Sequence, residues 1–246
     1  MPGDVASDPA GLAAEVERLH WYHTLELGPG VVTRGMFDHR PMLDRYLLPK
    51  SLEGLRCLDV GTMDGFWAFE LERRGAAEVV AVDLGEPDEL DWPPAYRERQ
   101  RDPVIDATKS DRFELARRAL GSDVRRELRS VYQLDTDLGS FDLIYCGDLL
   151  SHLRDPVGAL QRIRRVCRGS AIIANPIVHF RLARGRPIAQ FDGIDEWQWW
   201  ELSGPAIERM MRAVGFRDVQ VGKPFELPSR AGGSWRGLRG VFRGWV

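Results

Sequence analysis

Cysteine is scarce in this sequence of 246 residues, and the cysteines that are there form no recognisable framework. Cys57, Cys146 and Cys167 are odd in number, lie in apolar strand or helix patterns and include no Cys-x-x-Cys pair. This pattern argues against a disulfide framework and a zinc site, and it predicts buried thiols in a reducing cytoplasm. His20 and His23 have a spacing that suits two metal ligands, but no further carboxylate or histidine completes the set. We therefore expect no metal site.

Long apolar runs are also missing, since none approaches the ~20 residues that a membrane-spanning helix needs. The first residues lack the basic and apolar segments of a signal peptide, so we expect a cytoplasmic protein without membrane contacts. A net charge of −3 gives no general attraction to nucleic acid. The hydrophobic content of 43% and the chain length suit one large α/β domain with additions.

Seven apolar segments have the length and composition of strands, and they alternate with helical patterns. These segments are residues 55–60, 78–83, 128–134, 141–146, 171–177, 216–221 and 238–242. Helical patterns start near residue 64, after Asp155 and after Ser203, and the second helix is predicted to bury Cys167 and to end at Gly169. The alternation predicts an α/β protein with a Rossmann-like, doubly wound and mostly parallel sheet.

The remaining segments divide the chain further. Residues 1–50 are predicted to form an N-terminal helical lid, with a helix whose apolar stripe runs from Leu12 to His23 and a short helix at 38–48. Residues 51–246 form the main domain, with insertions at 86–126 and 178–202 that carry several aromatic residues. We expect the lid and the two insertions to shape a pocket for the substrate.

The most informative motif joins the first two strands. It reads Cys57-Leu-Asp-Val-Gly-Thr-Met-Asp-Gly-Phe66, and the next strand ends on Asp83. Dinucleotide-binding loops have a second glycine where this sequence has Met63, because a diphosphate must approach the backbone there. The motif therefore favours a nucleoside without phosphates, and S-adenosyl-L-methionine is such a ligand. The alternative is that the glycines only form a turn and that Asp83 is only a strand-end acid.

Each part of this motif has an expected contact with the cofactor. Asp83 can accept hydrogen bonds from both ribose hydroxyls, and Gly61 and Gly65 let the backbone pass close to the ligand. The amides that open the helix after Asp64 can bind the methionine carboxylate. The predicted cofactor-binding residues are Tyr22, Asp59, Gly61, Thr62, Asp64, Gly65, Phe66, Asp83, Leu84, Leu134, Cys146, Gly147 and Asp148.

Three side chains are candidates for catalysis. Asp148 follows the fourth strand, where it would border the transferred methyl group and bind the methionine amine or the substrate. His23 and His152 are candidate general bases, because imidazole side chains ordinarily titrate near neutrality. Each has a structural alternative: Asp148 as a solvated helix cap, and the histidines as buried packing residues. Tyr22 would add an aromatic face near the sulfonium, or would only pack against the sheet.

The sequence also resembles class I methyltransferases related to the tRNA wobble-uridine carboxymethyltransferases. The resemblance spans roughly residues 20–222 and is carried by Trp21-Tyr-His-Thr, Gly30-Val-Val-Thr-Arg-Gly35, Leu58 to Gly65, Phe141-Asp, Gly147, His152-Leu-Arg-Asp-Pro156 and Gly215-Phe216. It implies a seven-stranded sheet of order 3-2-1-4-5-7-6, with Gly61, Asp83 and the Cys146–Asp148 region around the cofactor. After transfer of its methyl group, the cofactor would leave as S-adenosyl-L-homocysteine.

Two departures from the tRNA enzymes bear on the substrate. Those enzymes hold a carboxylated cofactor with a lysine and a tyrosine, and the corresponding residues here are Met42 and Ser151. This difference favours plain S-adenosylmethionine and a small-molecule acceptor with an oxygen or nitrogen nucleophile, in a role such as secondary metabolism. The alternatives are tRNA modification and a non-catalytic cofactor-binding protein on the same scaffold. The sequence leaves open whether the protein is a homodimer.

Overall fold

The computed structural model describes residues 9–85, 89–98, 109–178, 185–194, 198–228 and 236–246. The strands in chain order are β1 (Glu26–Gly28), β2 (Val31–Val32), β3 (Arg56–Val60), β4 (Glu78–Asp83), β5 (Arg125–Leu128), β6 (Phe141–Gly147), β7 (Cys167–Pro176), β8 (Ala189–Phe191), β9 (Trp200–Leu202), β10 (Arg217–Val221), β11 (Phe225–Pro228) and β12 (Arg236–Trp245). The α-helices are α1 (Pro9–Glu17), α2 (Phe66–Arg73), α3 (Pro94–Arg97), α4 (Lys109–Leu120), α5 (Pro156–Val166) and α6 (Gly204–Ala213).

The central sheet has the strand order β10-β12-β7-β6-β3-β4-β5, with β11 paired to β12 at its side. Strands β3 to β7 are parallel, whereas β12 runs antiparallel to both of its neighbours β7 and β10. When β11 is left out, this is the predicted order 3-2-1-4-5-7-6. The predicted fold class, a Rossmann-like doubly wound sheet, is confirmed.

Alternate residues of the central strands supply two apolar layers, one on each face of the sheet. In β6, Leu143 and Tyr145 belong to one layer, while Ile144 and Cys146 belong to the other. Successive side chains in a strand point to opposite faces, so a strand covered on both sides needs apolar residues throughout. The N-terminal segment contributes Leu12, Trp21 and Leu25 to the first layer, and it therefore shares the core of the main domain.

The helices begin where local hydrogen bonds fix their first turn. The Asp155 carboxylate accepts a hydrogen bond from the Gly158 amide at 2.8 Å, and Pro156 occupies the first helical position of α5. The Ser203 hydroxyl accepts from the Ala206 amide at the start of α6. Both starts were predicted from the capping residues.

Several element boundaries differ from the sequence prediction. The third strand lies at Arg125–Leu128 and not at 128–134, because the Ser130 side chain caps a 3₁₀ turn at Val131–Gln133. Helix α5 ends at Val166, and Cys167 starts strand β7 where the prediction had continued the helix to Gly169. An apolar residue such as Cys167 fits both the buried face of a helix and a buried strand. The sequence pattern therefore could not fix the boundary, and the predicted end of the helix was wrong.

Two further segments differ from the sequence prediction. The insertion 86–126 contains a helix that the pattern did not indicate, and the N-terminal segment contains less helix than predicted. Helix α4 lies within the predicted insertion 86–126, and its Phe113 is fully buried against the sheet. Helix α1 ends at Glu17, so the predicted stripe continues past the helix to His23, and 38–48 contains only the 3₁₀ turn Arg40–Arg45. Within the described parts of the chain, no helix combines the length and the apolar character needed to cross a membrane. The division at residue 50 stays a prediction.

Candidate functional site

The loop between β3 and α2 turns sharply through three left-handed residues. Gly61 and Gly65 have φ values of 80° and 93°, and Met63 between them has φ 52°, which is unusual for a residue with a side chain. A Cβ atom at Gly65 would lie 2.3 Å from the Phe69 ring, so the turn into α2 requires glycine. The loop therefore has one fixed path over the carboxyl end of β3.

Asp83 holds this loop against the end of β4. Its carboxylate accepts hydrogen bonds from the Met63 amide and from the Leu84 amide, both at 2.7 Å. The Met63 amide, at the position where a dinucleotide loop has its second glycine, is thus already bonded to a carboxylate. This arrangement leaves no attractive place for a diphosphate, since the group that would meet it is an anion.

Asp59 lies at the same end of β3 and is almost completely buried. Burial raises the pKa of its carboxyl to about 7, and nearby Asp83 acts in the same direction, while Thr62, His23 and the Ala68 amide oppose the rise. Its Oδ2 atom has no hydrogen-bond partner in the described part of the chain.

Asp64 binds the N-terminal segment to the glycine loop. Its Oδ2 atom accepts hydrogen bonds from the Tyr22 amide at 2.9 Å and the His23 amide at 2.8 Å, and its Oδ1 atom contacts His23 Nδ1. Burial by itself would raise the pKa of Asp64, but the charge and hydrogen bonds of His23 outweigh it and the pKa is lowered. Asp64 is therefore an ionised partner that orients the His23 ring.

Aromatic rings surround this pair. The Tyr22 ring meets the His23 ring edge-on with centroids 4.7 Å apart, and Phe66 stacks on the other side of His23 at 5.4 Å. A Cβ atom at Gly35 would overlap the His23 backbone at 2.0 Å, which shows how closely the chain at Gly35 approaches the chain at His23. The packing fixes the position of His23 from both sides.

Asp148 lies just after β6 and is paired with an arginine from the last strand. Its φ is 50°, its amide donates to the Ala174 carbonyl at 2.8 Å, and its Oδ2 atom accepts from Arg239 Nη2 at 2.6 Å. The Arg239 side chain is only 3% exposed and lies over the Phe37 ring at 5.0 Å. Asp148 Oδ1 is buried and carries no hydrogen bond from any described residue.

His39 and Tyr46 form a second buried polar pair beside His23. The Tyr46 hydroxyl lies 2.6 Å from His39 Nδ1, and the two histidine rings are 5.2 Å apart between centroids. The pKa of His39 is well below its usual value because of burial, followed by the charges of His23 and Arg239. Burial, with a further contribution from Asp148, raises the pKa of Tyr46.

The other predicted residues fall into two groups. Thr62, Leu134 and Cys146 are completely buried, so the structure exposes neither their side chains nor their backbone at this end of the sheet. His152 ends a 3₁₀ turn and faces the Trp92 ring at 6.5 Å, while the neighbouring Ser151 hydroxyl accepts a hydrogen bond from Asn175 at 2.8 Å. His152 therefore contacts the 86–126 segment and not the Asp64–His23 pair.

Sequence reasoning missed Arg239, His39 and Tyr46. Arg239 belongs to an arginine-rich tail that looks like a solvated charge run, and nothing in the strand pattern marks it as buried. The signal that was available is that a histidine and a tyrosine lie seven positions apart, in the segment His39-Arg-Pro-Met-Leu-Asp-Arg-Tyr46. That signal is weak, because the same spacing occurs in many surface helices.

Comparison with known proteins gives one family and several similar folds. A family profile described as a methyltransferase domain matches residues 38–221. No curated protein sequence matches the chain. The N-terminal domain of EvdMO1 with SAH bound is 16% identical and has a TM-score of 0.64, with 99% of each chain covered.

Two further structures have the same fold with lower TM-scores. An S-adenosylmethionine dependent methyltransferase from Mesorhizobium loti is 18% identical with a TM-score of 0.51, covering 85% of this chain and 97% of that one. Magnesium protoporphyrin IX methyltransferase from Synechocystis PCC 6803 with bound SAH is 13% identical with a TM-score of 0.52, covering 79% and 75%. Against EvdMO1 as a whole, the match covers 100% of this chain and 49% of that chain. At these identities the likeness establishes the fold alone.

Proposed function

The chain belongs to the methyltransferase domain family, and from that membership we propose that it transfers the methyl group of S-adenosylmethionine to a small-molecule acceptor. The single observation that carries the choice of cofactor is the glycine loop, whose Met63 amide is bonded to Asp83. This bond favours a nucleoside without phosphates at the carboxyl ends of β3 and β4.

The residues of the loop suit the separate parts of this cofactor. Asp83 lies where a ribose diol would meet the end of β4, and Asp59 lies beneath the loop as a buried acid that a cationic amine would ionise. In this proposal Leu84 contacts the adenine and Phe66 contacts the methionine chain. When bound, the cofactor supplies a methyl group on a positively charged sulfur, which a nucleophile can attack in line.

His23 is our candidate for the general base, with Asp64 as the residue that orients it. A histidine that donates from Nδ1 to a buried carboxylate keeps its lone pair on Nε2, and the carboxylate stabilises the imidazolium that forms when Nε2 takes a proton. Asp148, partly exposed and paired with Arg239, fits a role in holding the acceptor, and His152 fits a contact with the acceptor farther out.

Binding of the cofactor can be measured by calorimetry with S-adenosylhomocysteine and the full-length protein. We expect Asp83→Ala to weaken binding by about 10- to 100-fold, because charge-assisted hydrogen bonds contribute about 1.5–3 kcal/mol. Asp83→Asn keeps the size of the side chain and can still accept from the Met63 amide, so it serves as the matched variant. Equal affinity in the wild type and Asp83→Ala, or no binding at all, would contradict the proposal.

The acceptor is proposed to be a small hydroxylated or amino compound. EvdMO1 has been crystallised in the presence of SAH and D-fucose, which is consistent with a polar small molecule for a related fold. Incubating the enzyme and methyl-labelled cofactor with a metabolite extract should yield one labelled small molecule. A protein that binds the cofactor and labels nothing would instead be a non-catalytic member of the family.

The second candidate, tRNA modification, is a prediction from the sequence resemblance and is the weaker one. Ser151 is bonded to Asn175, Met42 packs against the core, and Arg239 of the basic tail is buried against Asp148. These contacts leave fewer cationic and hydroxyl groups for RNA or for a carboxylated cofactor. Retention of labelled tRNA with a steep salt dependence would favour this candidate.

A further inference from the structure

His39 is a buried histidine with one ring nitrogen that no described residue satisfies. Its Nδ1 atom is bonded to the Tyr46 hydroxyl, whereas Nε2 is buried without a hydrogen-bond partner among the described residues. Buried polar atoms in native proteins nearly always have a partner, and an exception calls for an explanation such as a ligand. The His23 ring is 5.2 Å away, so this nitrogen lies beside the candidate base.

The neighbouring groups determine which nitrogen of His39 carries the proton. The phenol O–H of Tyr46 is a stronger hydrogen-bond donor than a neutral imidazole N–H, and its oxygen lies 2.6 Å from His39 Nδ1. Tyr46 then directs its own O–H at His39 Nδ1, which must be an acceptor. Because burial keeps His39 neutral by lowering its pKa, its single proton resides on Nε2. The unsatisfied nitrogen is therefore a hydrogen-bond donor.

The opposite arrangement holds in His23. Its Nδ1 atom is bonded to the ionised Asp64, so in the neutral ring the proton is on Nδ1 and the lone pair is on Nε2. The rings of His23 and His39 both lie against Phe66, at 5.4 Å and 5.5 Å between centroids. One imidazole thus offers a proton acceptor and the next a proton donor within a single aromatic enclosure.

An oxygen nucleophile matches this pair and a nitrogen nucleophile does not. A hydroxyl has one proton to give to His23 and two lone pairs, of which one can accept from His39 Nε2–H while the other attacks. A neutral amine has one lone pair, and accepting a hydrogen bond from His39 would occupy the electrons that must form the new bond. The pair therefore selects between the two classes of acceptor.

We propose that His23 and His39 together bind a hydroxyl group of the acceptor and that the protein is an O-methyltransferase. This inference rests on the proposed function and names its substrate class. The oxygen lone pair forms the new C–O bond, the S–CH₃ bond breaks with its electrons remaining on sulfur, and the hydroxyl proton passes to His23 Nε2. His39 touches the reacting oxygen, while Tyr46 is a positioning residue that fixes the His39 tautomer.

The first test measures the tautomer directly in the wild-type protein. The full-length protein, labelled with ¹⁵N at histidine and saturated with S-adenosylhomocysteine, is studied by NMR, where one-bond and two-bond couplings assign the protonated ring nitrogen. We expect His39 to carry its proton on Nε2, and we expect Tyr46→Phe to shift the population toward the other tautomer. A wild-type His39 protonated on Nδ1 would overturn the inference.

The second test uses the labelled product and two matched variants. The methyl group found in a metabolite extract should be attached to oxygen. His39→Leu, which removes the donor, should lower kcat about 100-fold, as loss of one such donor does elsewhere. His39→Gln, whose amide still donates, should recover part of that rate, and both variants should bind S-adenosylhomocysteine like the wild type.

The outcomes separate this inference from the proposed function. An N-methyl product, or equal rates in His39→Leu and His39→Gln, would overturn the hydroxyl site while leaving the methyltransferase intact. Failure of the wild type to bind S-adenosylhomocysteine would overturn both. If His39→Leu does not fold, the wild-type tautomer and the labelled product still decide.

Discussion

The part of the site proposed to bind the cofactor, here called the cofactor half, is held by hydrogen bonds to backbone amides. The part proposed to bind the acceptor, the acceptor half, is held by bonds between side chains. The cofactor half comprises residues 59–66 and Asp83, where carboxylates accept from main-chain N–H groups at 2.7 Å. The acceptor half comprises His23, His39, Tyr46, Asp148 and Arg239, which bond to one another or to Asp64 through charged and aromatic side chains.

This difference suggests a division of roles. Each contact of the cofactor half depends on one side chain only, because its other partner is a backbone amide, so this half suits a ligand that all members of a family share. Side-chain contacts are lost or altered by single substitutions, so the acceptor half suits a ligand that differs among relatives. Asp64 joins the halves, because it lies in the glycine loop and its carboxylate holds the His23 ring.

The largest expected effect is on catalysis, at His23, the residue of the acceptor half that Asp64 orients. His23→Gln removes the base but keeps an amide near Asp64, and we expect kcat to fall by about 10²- to 10⁴-fold. His152→Gln is the matched control, since this second candidate base contacts Trp92 and not Asp64. Steady-state kinetics with methyl-labelled cofactor and the acceptor identified from the extract measure kcat of both variants. A larger loss of kcat in His152→Gln would make His152 the general base in place of His23.

The next effect is on stability, in the acceptor half. Arg239→Met leaves the Asp148 carboxylate without its cation, and we expect the free energy of unfolding to fall by about 3–5 kcal/mol. Adding Asp148→Asn should recover part of the loss, because asparagine is neutral and tolerates the left-handed backbone at this position.

The exposed pair of Arg212 and Glu208 provides the comparison for this prediction. Its nitrogen and oxygen are 2.9 Å apart, but the side chains are 48% and 32% exposed. Arg212→Met should cost no more than about 0.5 kcal/mol in urea denaturation, since water screens the pair. Similar losses in Arg239→Met and Arg212→Met would show that burial does not strengthen the Asp148–Arg239 contact.

The last prediction concerns Asp59 in the cofactor half, where we expect a change in the free energy of unfolding that depends on pH. Burial raises the pKa of Asp59 from 3.8 to about 7, so folding favours the protonated acid. Its contribution to stability is complete below pH 3.8 and is lost as the pH rises through about 7, by up to roughly 2–4 kcal/mol.

Asp59→Asn removes this titration while keeping the shape of the side chain. The variant should therefore gain stability relative to the wild type between pH 5 and pH 8, in the absence of cofactor. Thermal unfolding at the two pH values measures the difference. The same difference at both values would mean that Asp59 is ionised throughout.

The strand–loop–helix–strand frame was predictable because its determinants are close together in the sequence. The strands at residues 55–60 and 78–83, the turn glycines Gly61 and Gly65, and the caps Asp155 and Ser203 act on their own neighbours through periodicity, allowed backbone angles and local hydrogen bonds. The boundaries that were wrong lie where two local patterns fit equally well, as at Cys167.

The sequence by itself determined the class of sheet, the position of the cofactor loop and the acid at the end of β4. Only the tertiary structure decided the acceptor half, because its contacts join residues far apart in the chain: Asp148 and Arg239 are separated by 91 positions and His23 and Asp64 by 41. Burial then gives these groups their properties. Removal from water made Arg239 a partner of Asp148, kept His39 neutral and left one proton of its ring for a ligand.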